Sequence, residues 1–240
     1  MRIWLLAGLV LLGCGAARAG PPFVTDDPEP TDTGHWEIYN YAQGAGTPGA
    51  LAGSAGLDLN YGGAKDLQLT ATIPVVFQTG ASPGLGDIEL AVKYRFLHQS
   101  AGSVLPDVAF FPRLSTPSGG LTYGTGRPQL LAPLWAQKDF GAWSLFGGGG
   151  YTLNPGAGQR NYWISGAALT RTITPRFSLG AEVYQQTPTD LAGRDFTGIN
   201  LGALYRFTPH WSFIGAGGPG VQNPREGGDY DFYVALKADY

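Results

Sequence analysis

The sequence predicts an all-β chain: one transmembrane antiparallel β-barrel of about twelve strands. Three observations carry this. First, Tyr230 to Tyr240 alternates without a break. Tyr230, Phe232, Val234, Leu236, Ala238 and Tyr240 share one face, and Asp231, Tyr233, Ala235, Lys237 and Asp239 share the other. A side-chain period of two over about ten residues is the length of a tilted membrane-crossing strand, oily outside and polar inside. Second, charged residues make up only 14% of the 240 residues, with 38 Gly, 12 Tyr, 12 Phe and 6 Trp. Soluble domains carry about 25% charge, so this chain lacks solvating surface. Third, short turns and longer Gly/Pro-rich loops alternate along the sequence, the asymmetry expected of such barrels.

The first nineteen residues read as an export signal. Arg2 is the basic start, Ile3 to Leu12 the apolar run and Ala17-Arg18-Ala19 the cleavage site, leaving Gly20 first in the mature chain. The apolar run is too short for a transmembrane helix. Leu11-Leu12-Gly13-Cys14 offers a rival, a lipobox with Cys14 acylated. Cys14 is the only cysteine, so the mature chain is expected to have neither disulfides nor thiolate metal sites. The net charge of −3, without a basic run, gives no reason to expect nucleic acid.

Gly20 to Gly34 holds four prolines and four acids. Such a stretch resists regular structure and is expected to be an extended periplasmic segment near the barrel mouth. The barrel is expected over residues 35–240. Asp26, Asp27, Glu29 and Asp32 lack the glycine and terminal Glu of a calcium loop. Gly147 to Gly150 is followed by no G-K-[ST] and is not a phosphate loop. No cofactor or metal is expected.

Strand one, His35 to Gln43, is ambiguous in phase. Either Trp36 and Asn40 both face lipid with Tyr39 and Tyr41 inward, or a bulge turns both ends outward. A Gly-rich connection leads to strand two, Ala55 to Tyr61, and a tight turn, Gly62 to Lys65, to strand three, Asp66 to Val75, weakened at Pro74. Strand four, Gly86 to Phe96, is the clearest internal one: Ile88, Leu90, Val92, Tyr94 and Phe96 point out. Strands five (Asp107 to Ser115) and six (Gln129 to Gln137) carry Pro112 and Pro133. Strands seven to eleven follow at Trp143 to Tyr151, Asn161 to Thr170, Phe177 to Gln185, Asp195 to Phe207 and Trp211 to Gly217. Tyr230 to Tyr240 closes the set. Ten or fourteen strands would keep the same parity. The even count puts both ends on the periplasmic side of a bacterial outer membrane.

On this map Tyr94, Phe96, Trp143, Phe177, Tyr205, Phe207 and Trp211 form an aromatic girdle at the periplasmic interface. Phe232, Val234, Leu236, Ala238 and Tyr240 resemble the terminal signal read by the outer-membrane assembly machinery, an expected partner along with membrane lipid. The residues expected to line the lumen are Asp58, Asp87, Glu89, Lys93, Arg95, Arg113, Glu182, Arg206 and Lys237. Those charges either pair and plug the lumen or line a narrow polar pathway. Lys93, Arg95, Arg206 and Lys237 gather toward the periplasmic end, which predicts a weak anion preference there. No catalytic residue is assigned. An enzyme acting on lipid would need a base beside a serine. His35, His98 and His210 fall near periplasmic strand ends and read as rim residues.

Several motifs together resemble one family. They are Thr25-Asp26-Asp27-Pro28, Gly34-His35-Trp36-Glu37, Gly84-Leu85-Gly86-Asp87 with Lys93-Tyr94-Arg95-Phe96, and Pro117-Ser118-Gly119. The chain is similar to the outer-membrane proteins grouped as the "MetA-pathway of phenol degradation" family. That resemblance implies a barrel that passes small, often aromatic or hydrophobic, molecules. A passive channel is the leading expectation. A non-conducting barrel with a structural or binding role comes second, and a lipid-modifying enzyme third.

Overall fold

The computed structural model describes residues 22–100 and 102–240. The leader, its cleavage site and Cys14 lie outside the described residues. The strands are β1 (Trp36–Thr47), β2 (Ala50–Ala64), β3 (Leu67–Gln78), β4 (Gly84–Leu85 and Glu89–Leu97), β5 (Asp107–Phe110 and Arg113–Ser115), β6 (Gln129–Phe140), β7 (Trp143–Leu153), β8 (Tyr162–Thr174), β9 (Phe177–Gln186), β10 (Phe196–Arg206), β11 (Trp211–Gln222) and β12 (Tyr230–Asp239). Each pairs antiparallel with its sequence neighbour, and β1 pairs with β12 from Glu37↔Asp239 to Gly46↔Tyr230. The sheet therefore closes as a twelve-strand barrel, which removes the free edges a bilayer cannot satisfy.

Prolines explain why β4 and β5 are each in two pieces. Proline brings no N–H to a ladder. The gap in β4 faces Pro74 of β3, whose carbonyl accepts from Gly86 N at 2.8 Å. The gap in β5 contains Pro112 and faces Pro133 of β6. There Phe111 N donates to the Pro133 carbonyl at 3.1 Å, and Val92 N to the Pro112 carbonyl at 3.2 Å. The carbonyls still serve, and side-chain alternation continues across the gap in β5. Across the gap in β4 the register with β3 shifts by one residue, so Leu85 and Leu90 both face outward.

The Gly-rich stretch after strand one is not a loop. Gly44 to Thr47 and Ala50 to Ser54 continue the ladder, and the chain turns only at Pro48 and Gly49, the latter at φ +86°. Small side chains carry no hydrophobic alternation, but the backbone ladder does not need one. For the same reason β11 runs on past Gly217 to Gln222. Strand one has no bulge, because its register with β2 is continuous. Trp36 and Asn40 face outward, and Tyr39 and Tyr41 are buried inside.

Leu69, Ile73, Leu90, Leu134, Leu145 and Leu201 are exposed on the outer face. Unburied apolar side chains on every strand have no reason to exist in water, whereas lipid satisfies them. At the end with the tight turns, Tyr94, Phe96, Trp143, Tyr205 and Phe207 are exposed, and Phe177 and Trp211 are half-buried. Arg171 points outward at this level, with its guanidinium 5.1 Å from the Trp143 ring, as a cation at a lipid–water interface would. On β12, Val234, Leu236 and the terminal Tyr240 are exposed, Phe232 is half-buried and Ala238 is buried. Tyr240 lies edge-on to Trp211 at 6.3 Å.

Candidate functional site

The lumen holds residues 22–34. Pro22, Pro28 and Pro30 keep this segment from adding a strand, so it packs by side chains instead. Expected near the periplasmic mouth, it enters the barrel interior from the turn end, and Thr25, Asp27 and Thr31 are all buried. Phe23 sits against β9 and β10 with its ring 6.3 Å from that of Phe146. Thr25 sits against β8 and β9. The chain then crosses to the opposite wall. Asp26 and Asp27 meet Lys93 of β4, Thr31 meets Gln68 of β3, and Thr33 bridges Gly62 of β2.

The wall is shaped for this crossing. A Cβ at Gly166 would collide with Thr25 Oγ1, at Gly202 it would lie 2.7 Å from the Phe23 ring, and at Gly180 3.1 Å from it. Three neighbouring strands thus carry glycine where the segment presses. Glu182 of β9 caps the tip: its carboxylate accepts from Thr25 N, and from Val24 N at 3.2 Å. Asn200 Nδ2 donates to the same carboxylate at 3.1 Å and holds it in place. On the far side Lys93 Nζ lies 3.1 Å from Asp26 and 3.6 Å from Asp27, and donates to the Glu29 carbonyl at 3.5 Å. Burial pushes the Asp27 carboxyl up to about 7. Lys93 pulls against that shift, and the neighbouring Asp26 and Glu29 add to it.

Beside the segment lies a cavity of about 890 Å³. It runs from Trp36 and His210 at the turn end to Gln43 and Tyr162 nearer the loops. Among the described residues, eight Asp and Glu carboxylates, three Lys or Arg side chains and two histidines line it. Tyr41 and Tyr233 stack in it, with ring centroids 6.2 Å apart.

Of the residues expected in the lumen, Asp58, Glu89, Lys93, Arg113 and Arg206 line this cavity. Glu89 and Arg113 pair at 2.6 Å. Glu182 is buried under the segment. Lys237 is buried in the wall between Glu37 at 3.2 Å and Asp239 at 3.0 Å. Arg95 lies in a network at the turn end, 3.1 Å from Asp66 and 3.7 Å from Glu29. Asp87 serves the outer loop, accepting from Gly119 N at 2.9 Å and Thr125 N at 2.7 Å. Of the four bases behind the expected anion preference, Lys93, Arg95 and Lys237 have acidic partners, which weakens its basis at that end. His98 lies 3.1 Å from Asp66, and His210 stacks on Tyr240 at 6.0 Å. Sequence reasoning missed Asp26 and Asp27 as partners of Lys93, Gln68 and Asn200 as anchors, and the stacked Tyr41 and Tyr233. Nothing in a proline-broken acidic stretch says which wall it will meet. Tyr41 was available in one of the two phases of strand one, and Tyr233 on the polar face of the closing strand.

No family model matches the sequence, and no curated protein matches it. Solved structures do match the fold. A KdgM porin aligns at TM-score 0.62 with 11% identity, over 85% of this chain and 99% of that one. A KdgM porin in complex with disordered oligogalacturonate gives 0.57 at 10% identity, over 86% and 98%. A NanC porin gives 0.54 at 11%, over 85% and 98%. At such identities the likeness is one of fold: this chain folds as a porin-like outer-membrane barrel.

Proposed function

We propose that the protein is a passive outer-membrane channel for small solutes, and that the path runs between residues 22–34 and the wall of β1 to β5. The observation that carries this is the cavity of about 890 Å³ beside the segment, lined by charged and aromatic side chains alike and reaching from the turn end toward the loops. A barrel built only as a scaffold has no need to keep such a volume wet. The finer expectation, aromatic solutes, rests on the family resemblance and on Tyr39, Tyr41 and Tyr233 facing the cavity. Aromatic rings offer a solute ring a stacking partner without blocking its exit.

The second reading is a barrel that does not conduct, favoured by the segment that fills much of the lumen. Liposome swelling separates the two. A channel admits small sugars and aromatic acids into liposomes holding the intact protein, and faster once residues 22–34 are deleted. Swelling only after the deletion supports the closed barrel. Swelling in neither case removes the channel.

A further inference from the structure

We infer that residues 22–34 are a displaceable plug, latched by Glu182 and Lys93, whose release opens a second and wider pathway along the glycine-lined wall of β8, β9 and β10. The inference rests on the channel reading above.

Four observations support it. The segment joins the sheet at a single bridge, Thr33 to Gly62, among the described residues. Its other anchors include Glu182 to the Val24 and Thr25 amides, Lys93 to Asp26 and Asp27, Arg95 to Glu29, Gln68 to Thr31, and the packing of Phe23. All but the last are polar contacts, so release exchanges them for hydration. Second, the wall under the tip carries glycine at the points of contact. Gly166, Gly180 and Gly202 offer no side chain of their own to fill the place of Thr25 and Phe23 once the segment has gone. Third, Gly166, Gly180 and Gly202 do not line the cavity already present, whose lining comes mostly from β1 to β5 with Tyr162 and Ile164 of β8 and Arg206 of β10, so release adds cross-section beyond it. Fourth, a pivot exists. Gly34, between the segment and β1, has φ +81° and nothing within 4 Å of where a Cβ would sit. Its N–H donates to the Gly62 carbonyl at 2.8 Å, so the hinge stays fixed to β2 while glycine's freedom of φ and ψ lets the chain before it change direction.

The test uses the full barrel in planar bilayers, with a D26C/K93C pair. The described residues contain no other cysteine. Asp26 Oδ1 and Lys93 Nζ are 3.1 Å apart, so a reducible bis-methanethiosulfonate linker can replace the ion pair. Unlinked, the variant has lost one latch and should spend at least ten times longer than wild type in a wide-conductance state. Linked, it should show only the narrow state, and reductant should restore the wide one in the same membrane. Glu182→Gln, in the other latch, should raise wide-state occupancy independently. Currents that do not change on linking, with the linkage verified by mass, together with an unaltered Glu182→Gln channel, overturn the plug and leave the narrow channel standing. No current in any state overturns the channel reading and the plug with it.

Discussion

Replacing Lys93 by Met should free the lumenal segment. Lys93 is buried, with two carboxylates and a carbonyl of the segment around its ammonium group. Met keeps the stem and removes the charge. Breaking a buried ion pair from one side costs about 3–5 kcal/mol, because the remaining charge is stranded. Here the stranded acids can leave with the segment, so the cost appears as lost docking, about 10²–10³-fold in the docked-to-released ratio. The loss should depend on pH. The Asp27 carboxyl is pushed to about 7 when docked, against about 4 for a free aspartate. The docked segment therefore holds more protons than the released one. Docking is strongest below about pH 4, weakens as pH rises toward 7 and levels off above it. At pH 5 the docked Asp27 is protonated, so Lys93→Met strands one charge rather than two and its effect shrinks. The assay is labelling of a Thr25→Cys probe by a charged maleimide. Labelling should be slow in the Thr25→Cys protein, about 10²-fold faster or more with Lys93→Met at pH 8, and less accelerated at pH 5. Equal labelling rates with and without Lys93→Met at both pH values would refute the clamp.

Two other changes probe the same interior. Gly202→Val puts methyl groups where the Phe23 ring lies 2.7 Å from a Cβ position. It should expel the tip and raise liposome swelling several-fold while leaving the melting of the barrel, followed by circular dichroism, nearly unchanged. Eight carboxylates against three bases in the cavity lining predict that cations cross more readily than anions, read as the sign of the reversal potential in a salt gradient. Asp58→Asn should shift that potential toward zero, and a potential of the opposite sign in wild type would contradict the charge assignment.

Much of the barrel was legible because its signal is local. Strand four and the closing strand announce themselves through strict alternation, and the turn at Thr208 to His210 through its residue types, whereas the turn expected at Gly62 to Lys65 falls at Lys65 and Asp66, after glycines that belong to the strand. Gly44 to Thr47 was not legible, because glycine and alanine pair as well as any residue but carry no pattern. The proline gaps were half legible: Pro112 and Pro133 mark weakness, but only the register shows them at the same level of two neighbouring strands, one residue out of step. In the site, the charge of Lys93, Arg113 and Glu182 and their place on the inward phase could be read. Their partners could not. Lys93 and Asp26 are 67 residues apart, and Glu182 and Thr25 are 157. Nothing local in either stretch encodes such a meeting. Asp87 shows the limit of phase reasoning, since an inward-phase acid at a strand end is close enough to a loop to be taken by it.

Hydrogen exchange of the Val24, Thr25 and Thr31 amides in detergent micelles bears most directly on the claim that the segment lives inside the barrel. All three donate to side chains of the wall. Docked in the lumen, they should exchange orders of magnitude more slowly than a free peptide of the same sequence. Exchange at the free-peptide rate would contradict the claim, leaving an empty barrel with a loose tail.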